Sequence, residues 1–103
     1  DVKGISHITG GGFYENIPRS LKKGCCARIN KVDVRTPALF QLMQKTGNIS
    51  EHDMFNTYNM GTGMTLIASK EDADRAIAAL KENSQDTYVI GEIVSGEEKV
   101  ALC

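Results

Sequence analysis

Apolar and polar positions change their period several times along the chain, which predicts a series of short elements rather than one long or repeating one. Val2 to Thr9 is short and mixed, with Ile5 and Ile8 apolar, and reads as the end of a helix running into a brief strand. Phe13 to Leu21 reads as a short helix, kept from regularity by Pro18, which lacks an N–H and clashes with the preceding turn. Cys25 to Val34 alternates as a strand does, through Ala27 and Ile29. Thr36-Pro37 has the form of a helix start, a capping hydroxyl followed by proline, and Leu39, Phe40, Leu42 and Met43 supply an apolar face that Gly47-Asn48 closes. Ser50, with Asp53 three residues on, caps another short helix. Met64 to Ala68 reads as a strand. Ser69 caps the clearest helix, Lys70 to Glu82, which carries Ala73, Ala76, Ile77 and Leu80 at helical spacing and ends at Asn83. Asp86 to Val94 is predicted as a strand, with residues 98 to 102 pairing with it through a turn at Ser95-Gly96. The order is that of mixed α and β elements around one sheet, with Met43, Met54, Met60 and Met64 as core filler.

No repeat, linker or low-complexity segment interrupts these elements, and 103 residues are enough for one core and too few for two. We therefore expect residues 1–103 to form a single domain. With 41% hydrophobic and 24% charged residues, no Trp and no long apolar run, the composition is that of a soluble globular chain, not of a membrane span or a disordered tail. The net charge of −1 gives no general attraction for nucleic acid or a membrane, so neither is expected as a partner. It is unevenly distributed: residues 1–50 sum to +5 and residues 51–103 to −6, which puts any anion site in the first half or simply draws the halves together. Three cysteines cannot all pair within the chain, and the adjacent Cys25 and Cys26 do not readily bridge each other, so a reducing, cytoplasmic setting is expected. Neither His7 nor His52 converges with cysteines in a metal pattern, and no metal ligand is assigned. The acidic run Glu71, Asp72 and Asp74 lies in the first turn of a helix, where acids offset the dipole. An opening of Asp1-Val2-Lys3, without an initiator Met or a signal peptide, suggests a piece of a longer protein.

The informative segment is His7-Ile8-Thr9-Gly10-Gly11-Gly12-Phe13-Tyr14-Glu15-Asn16-Ile17-Pro18-Arg19. A glycine-rich turn that opens a helix aims free N–H groups at one point and suits a phosphate, although a bare Gly triplet is more often a turn or a packing point. It lacks the Gly-Lys-Ser/Thr ending of a P-loop and is not a dinucleotide fingerprint. Flanking residues add chemistry: His7 can shuttle a proton near neutrality or be structural, and Arg19 can pair a phosphate bidentately or bridge to Glu15 four residues earlier. A second turn, Asn56 to Gly63, offers two Asn and two Gly before a strand, a pattern that suits a plain turn or main-chain contact with a ligand.

The run at 7–19 closely resembles the signature of the aminoimidazole ribonucleotide synthetases, the phosphoribosylformylglycinamidine cyclo-ligases of purine biosynthesis. The similarity continues through Gly47-Asn48-Ile49, through Met54 to Met64 and through Tyr88-Val89-Ile90-Gly91-Glu92-Ile93. Cys25-Cys26 departs from it, small apolar residues being more usual there. The resemblance implies the C-terminal domain of such an enzyme: an α/β (α+β) fold, layered α/β/α with a mixed sheet and partly ferredoxin-like. It further implies a reaction in which ATP, with magnesium, phosphorylates the formyl amide oxygen of formylglycinamidine ribonucleotide. The amidine nitrogen then closes the imidazole ring, and ADP and phosphate leave. Carried onto this sequence, His7 is the catalytic candidate at the cleft and Thr9 faces it. Gly10, Gly11 and Gly12 line the phosphate-contacting turn, Asn16 and Arg19 support it as binding residues, and Asn59, Gly61 and Gly63 form the opposing turn. The metal-linked acidic residues and most of a homodimer contact are expected from an N-terminal ATP-binding domain outside these residues, leaving this piece inactive alone. A related ATP-using enzyme of the thiamine-phosphate kinase or selenophosphate synthetase type is the neighbouring reading, against which the extended run Phe13 to Arg19 argues. A non-catalytic anion-binding module on the same fold is the third.

Overall fold

The computed structural model describes all residues from Asp1 to Cys103 and has an α+β fold. Strand β1 spans Val2–His7 and pairs antiparallel with β3, Met64–Ala68, so that His7 lies opposite Met64 and Val2 opposite Ala68. Strand β2, Cys25–Ile29, runs up the middle of a second sheet, antiparallel to β4, Gly91–Ser95, and parallel to β5, Val100–Leu102. Four helices complete the fold: α1, Gly12–Asn16; α2, Ala38–Gly47; α3, Glu51–Thr57; and α4, Lys70–Glu82.

Several boundaries follow local chemistry already apparent in the sequence. Ser50 Oγ accepts the Asp53 N–H and Ser69 Oγ accepts the Asp72 N–H, so both hydroxyls cap their helices where expected. α4 stops at Asn83, and Asn48 takes the left-handed conformation that closes α2. Pro18 ends α1 early, and the chain tightens into a 3₁₀ turn over Ile17–Ser20 instead of continuing as helix to Leu21.

Other expectations are corrected. Residues 2–7 are strand throughout, with no helical end, because their backbone is taken up by β3. Thr36 makes no cap: Pro37 itself holds the N-cap position of α2 and has no side-chain oxygen to offer. The strand from Cys25 ends at Ile29, where the Asn30 N–H turns to the Ile90 carbonyl and Lys31–Asp33 forms a 3₁₀ turn. Residues 86–90 lie outside β4, and Arg35 engages their first part: its guanidinium pairs with Asp86 at 3.0 Å and lies 4.1 Å from the Tyr88 ring centroid, while its backbone N–H donates to the Tyr88 hydroxyl. Residues 100–102 pair with β2 and not with β4. The turn between them crosses the start of β2, with the Gly96 N–H donating to the Gly24 carbonyl, and so both edges of β2 are hydrogen-bonded. The strands therefore form two small sheets, not the single layer expected. Apolar alternation identified strands without naming their partners.

The core lies between α1, α3 and the second sheet, and gathers Ile8, Phe13, Ile17, Ala27, Ile29, Val34, Met54, Phe55, Met60 and Val100. Phe13 and Phe55 meet with ring centroids 5.3 Å apart, tilted as aromatic pairs prefer. Of the four methionines expected as core filler, Met54 and Met60 are buried and Met43 is half-buried, while Met64 is 54% exposed on the outer face of the first sheet. Helices α2 and α4 contribute no fully buried residue. Total accessible area is 6832 Å², against about 5,700 Å² for a free-standing globular chain of this mass.

Candidate functional site

Antiparallel pairing of β1 with β3 places the end of the first strand beside the start of the second, so the turns that follow His7 and precede Met64 leave the sheet together. The Ile8 N–H donates to the Gly63 carbonyl at 2.9 Å and fastens one turn to the other. His7, Thr9, Gly10 and Gly63 are all exposed at this end of the sheet. No side chain or backbone lies within contact distance of a Cβ built on Gly10 or Gly63, so main chain is open to solvent at both positions.

The other glycines of the triplet serve a different purpose. Gly12 is buried with φ +61°, and a Cβ there would run into the Phe55 and Tyr58 carbonyls; its absence lets α1 lie directly on the C-terminal end of α3. Gly11, at the N-cap of α1, accepts the Glu15 N–H through its carbonyl. Within the turn, the Gly12 N–H donates to the Thr9 carbonyl at 3.0 Å. Asn16 is 2% exposed, and its side-chain amide donates to the carbonyls of Thr9 and Gly12, at 3.2 and 2.9 Å. The Gly10 and Gly11 N–H groups make no hydrogen bond to the protein and remain available.

The second turn is built similarly. Asn59 Oδ1 accepts the Gly61 N–H at 2.9 Å, closing an Asx turn. Gly61, at φ +92°, sits against Pro37 and the Arg35 carbonyl, where no Cβ would fit. Between the glycines, Thr62 Oγ1 is buried without a hydrogen-bond partner, a feature the sequence reading passed over although the Gly-Thr-Gly spacing could have drawn attention to the hydroxyl.

The candidates thus separate. His7, Thr9, Gly10, Gly11 and Gly63 converge at the open end of the first sheet, Gly12 and Asn16 face inward, and Asn59 and Gly61 shape the second turn. Arg19 is exposed in the 3₁₀ turn, whose Ser20 hydroxyl meets that of Ser6 in β1 at 2.8 Å; it forms no salt bridge, the one with Glu15 included. Within α1, the Tyr14 ring lies against His52, tilted, with centroids 4.4 Å apart, and burial, aided by Glu51 and Glu98 and opposed by Lys31, raises its phenol above the ordinary value. Shallow surface depressions lie along α2 at Gln41 and Lys45 and between β2 and β4 at Arg28 and Glu92. The paired turns form an open, exposed shelf. No group of three or more His, Cys, Asp or Glu side chains is arranged to hold a metal, and no helix is long and apolar enough to cross a membrane.

Comparison with known proteins gives this shelf its context. The family model described as "AIR synthase related protein, C-terminal domain" matches residues 1–103. The phosphoribosylformylglycinamidine cyclo-ligase of Lachnoclostridium phytofermentans is 48% identical over 103 residues, covering 100% of this chain and 30% of that protein. The cyclo-ligases of Alkaliphilus oremlandii and Caldanaerobacter subterraneus subsp. tengcongensis are each 50% identical over 101 residues, covering 98% of this chain and 30% of each relative. The chain spans about 30% of the length of these curated relatives. It belongs to the AIR synthase related family and corresponds to the family's C-terminal domain.

Proposed function

We propose that this chain is the C-terminal part of an ATP-dependent cyclo-ligase that converts formylglycinamidine ribonucleotide to aminoimidazole ribonucleotide. The observation that carries the reading is identity of about half the residues, along the whole chain, with relatives that bear the cyclo-ligase name. The shelf at the end of the first sheet suits the chemistry. Phosphoryl transfer is promoted chiefly by positioning and by donors aimed at developing charge, and the unpaired Gly10 and Gly11 N–H groups are such donors. In this reading they meet a phosphate of ATP or of the ribonucleotide, with Thr9 beside them and Arg19 as a cation nearby. His7 exchanges a proton at its imidazole during ring closure. Asn59 and Gly61 hold the second turn so that the open main chain at Gly63 faces the same ligand. Bound ATP supplies the phosphoryl group that activates the formyl amide oxygen. Magnesium, in this reading, takes carboxylate ligands from the N-terminal portion of the longer enzyme.

An open shelf does not exclude water, so the reading includes closure by the N-terminal portion that the longer relatives possess, in a cytoplasmic homodimer. Gly10→Ala provides the test. Added at a position with open space around it, the methyl leaves the fold alone and blocks close approach of a phosphate. In a full-length cyclo-ligase carrying this segment, we expect a loss of turnover efficiency of at least tenfold with unchanged unfolding. Full activity in that variant would overturn the assignment of the turn.

A further inference from the structure

We infer that Asn16 is a positioning residue for the glycine turn and not a group that touches the ligand. Its side chain is 2% exposed, and both donors of its amide are used, one on the Thr9 carbonyl and one on the Gly12 carbonyl. Those carbonyls bracket Gly10 and Gly11, the two residues whose N–H groups are free. The turn has one other internal bond, from the Gly12 N–H to the Thr9 carbonyl, and nothing lies within 4 Å of where a Gly10 side chain would be. Without the amide, two carbonyls lose a donor and the glycine backbone is free to sample many conformations. With it, the segment carrying the free Gly10 and Gly11 N–H groups is held in one conformation before any ligand arrives, so less ordering is left to be done on binding. The site is thus preorganised from beneath, by a side chain anchored in the core beside Phe13 and Ile17.

The ligand-facing part of this argument rests on the proposed cyclo-ligase reading, but its test needs no nucleotide and so fails or succeeds separately. Amide hydrogen exchange is followed on the chain for wild type, Asn16→Ala and Asn16→Asp, comparing Gly12 with Ala27, whose N–H donates to the Lys99 carbonyl in the second sheet. The aspartate keeps the shape of the side chain and loses its donors. We expect Gly12 exchange to rise at least tenfold in both variants while Ala27 stays within twofold of wild type. Unchanged Gly12 exchange in Asn16→Asp would show that the amide bonds do not hold the turn. An equal rise at Gly12 and Ala27, or an Asn16→Asp chain that does not fold, would make Asn16 a general core residue, and either result overturns the inference. Should Asn16→Ala alone fail to fold, the aspartate variant decides the question.

Discussion

Gly10 and Gly12 are two residues apart and identical in chemistry, yet they do opposite work. Gly12→Ala forces a Cβ into the Phe55 carbonyl at a left-handed φ, and we expect it to cost about 3 kcal/mol or more in urea unfolding, whereas Gly10→Ala stays within about 0.5 kcal/mol of wild type. The sequence could not separate them, because a glycine's purpose lies in what its missing side chain would strike, and that depends on where α3 comes to rest. His7, by contrast, was legible as a candidate from the run around it, and antiparallel pairing with Met64 supplies what the run could not: proximity to Gly63, more than fifty positions away in sequence. Asn16 was found by the same run but given a binding role, because nothing in a linear sequence shows whether an amide points outward or inward.

At the scale of single elements, caps were the most legible feature, since they depend on residues three positions apart and on little else. Ser69 illustrates the consequence. Its hydrogen bond to Asp72 is the main cause holding that carboxyl below its usual 3.8, so the contact is present above the unfolded pKa and is lost as pH falls through the lowered folded value. Ser69→Ala should move the Asp72 titration back toward 3.8, followed by carboxyl carbon NMR, and should destabilise α4 by about 1 kcal/mol. Strand ends were poorly legible. Asp86 to Ile90 has the composition of a strand, but Arg35, fifty residues earlier, takes Asp86 and Tyr88 for itself. We expect Arg35→Ala to speed proteolytic cleavage between residues 83 and 90 with little change in global stability, because the ion pair involved is exposed.

For the molecule as a whole, the fold class was legible and its division into two sheets was not, since neither ladder announces its partner in the pattern of a single strand. Accessible area exceeds the expectation for a free-standing chain by about 1,100 Å², an amount comparable with an inter-domain contact. Part of it is apolar and continuous across the first sheet, where Ile5 and Leu66 face each other beside Met64, at 58%, 37% and 54% exposure. Sedimentation of the chain should show concentration-dependent association that Ile5→Lys and Leu66→Lys together remove; a strictly monomeric wild type at high concentration would refute this. The crossing of the chain over the start of β2 also sets an order of events during synthesis. The sheet partners of β2 lie about seventy residues downstream, so Cys26, Ala27 and Ile29 leave the ribosome as an apolar segment with nothing to pair against. Nascent chains must keep that strand from other partners until Val100 to Leu102 arrives and β5 covers the second edge of β2.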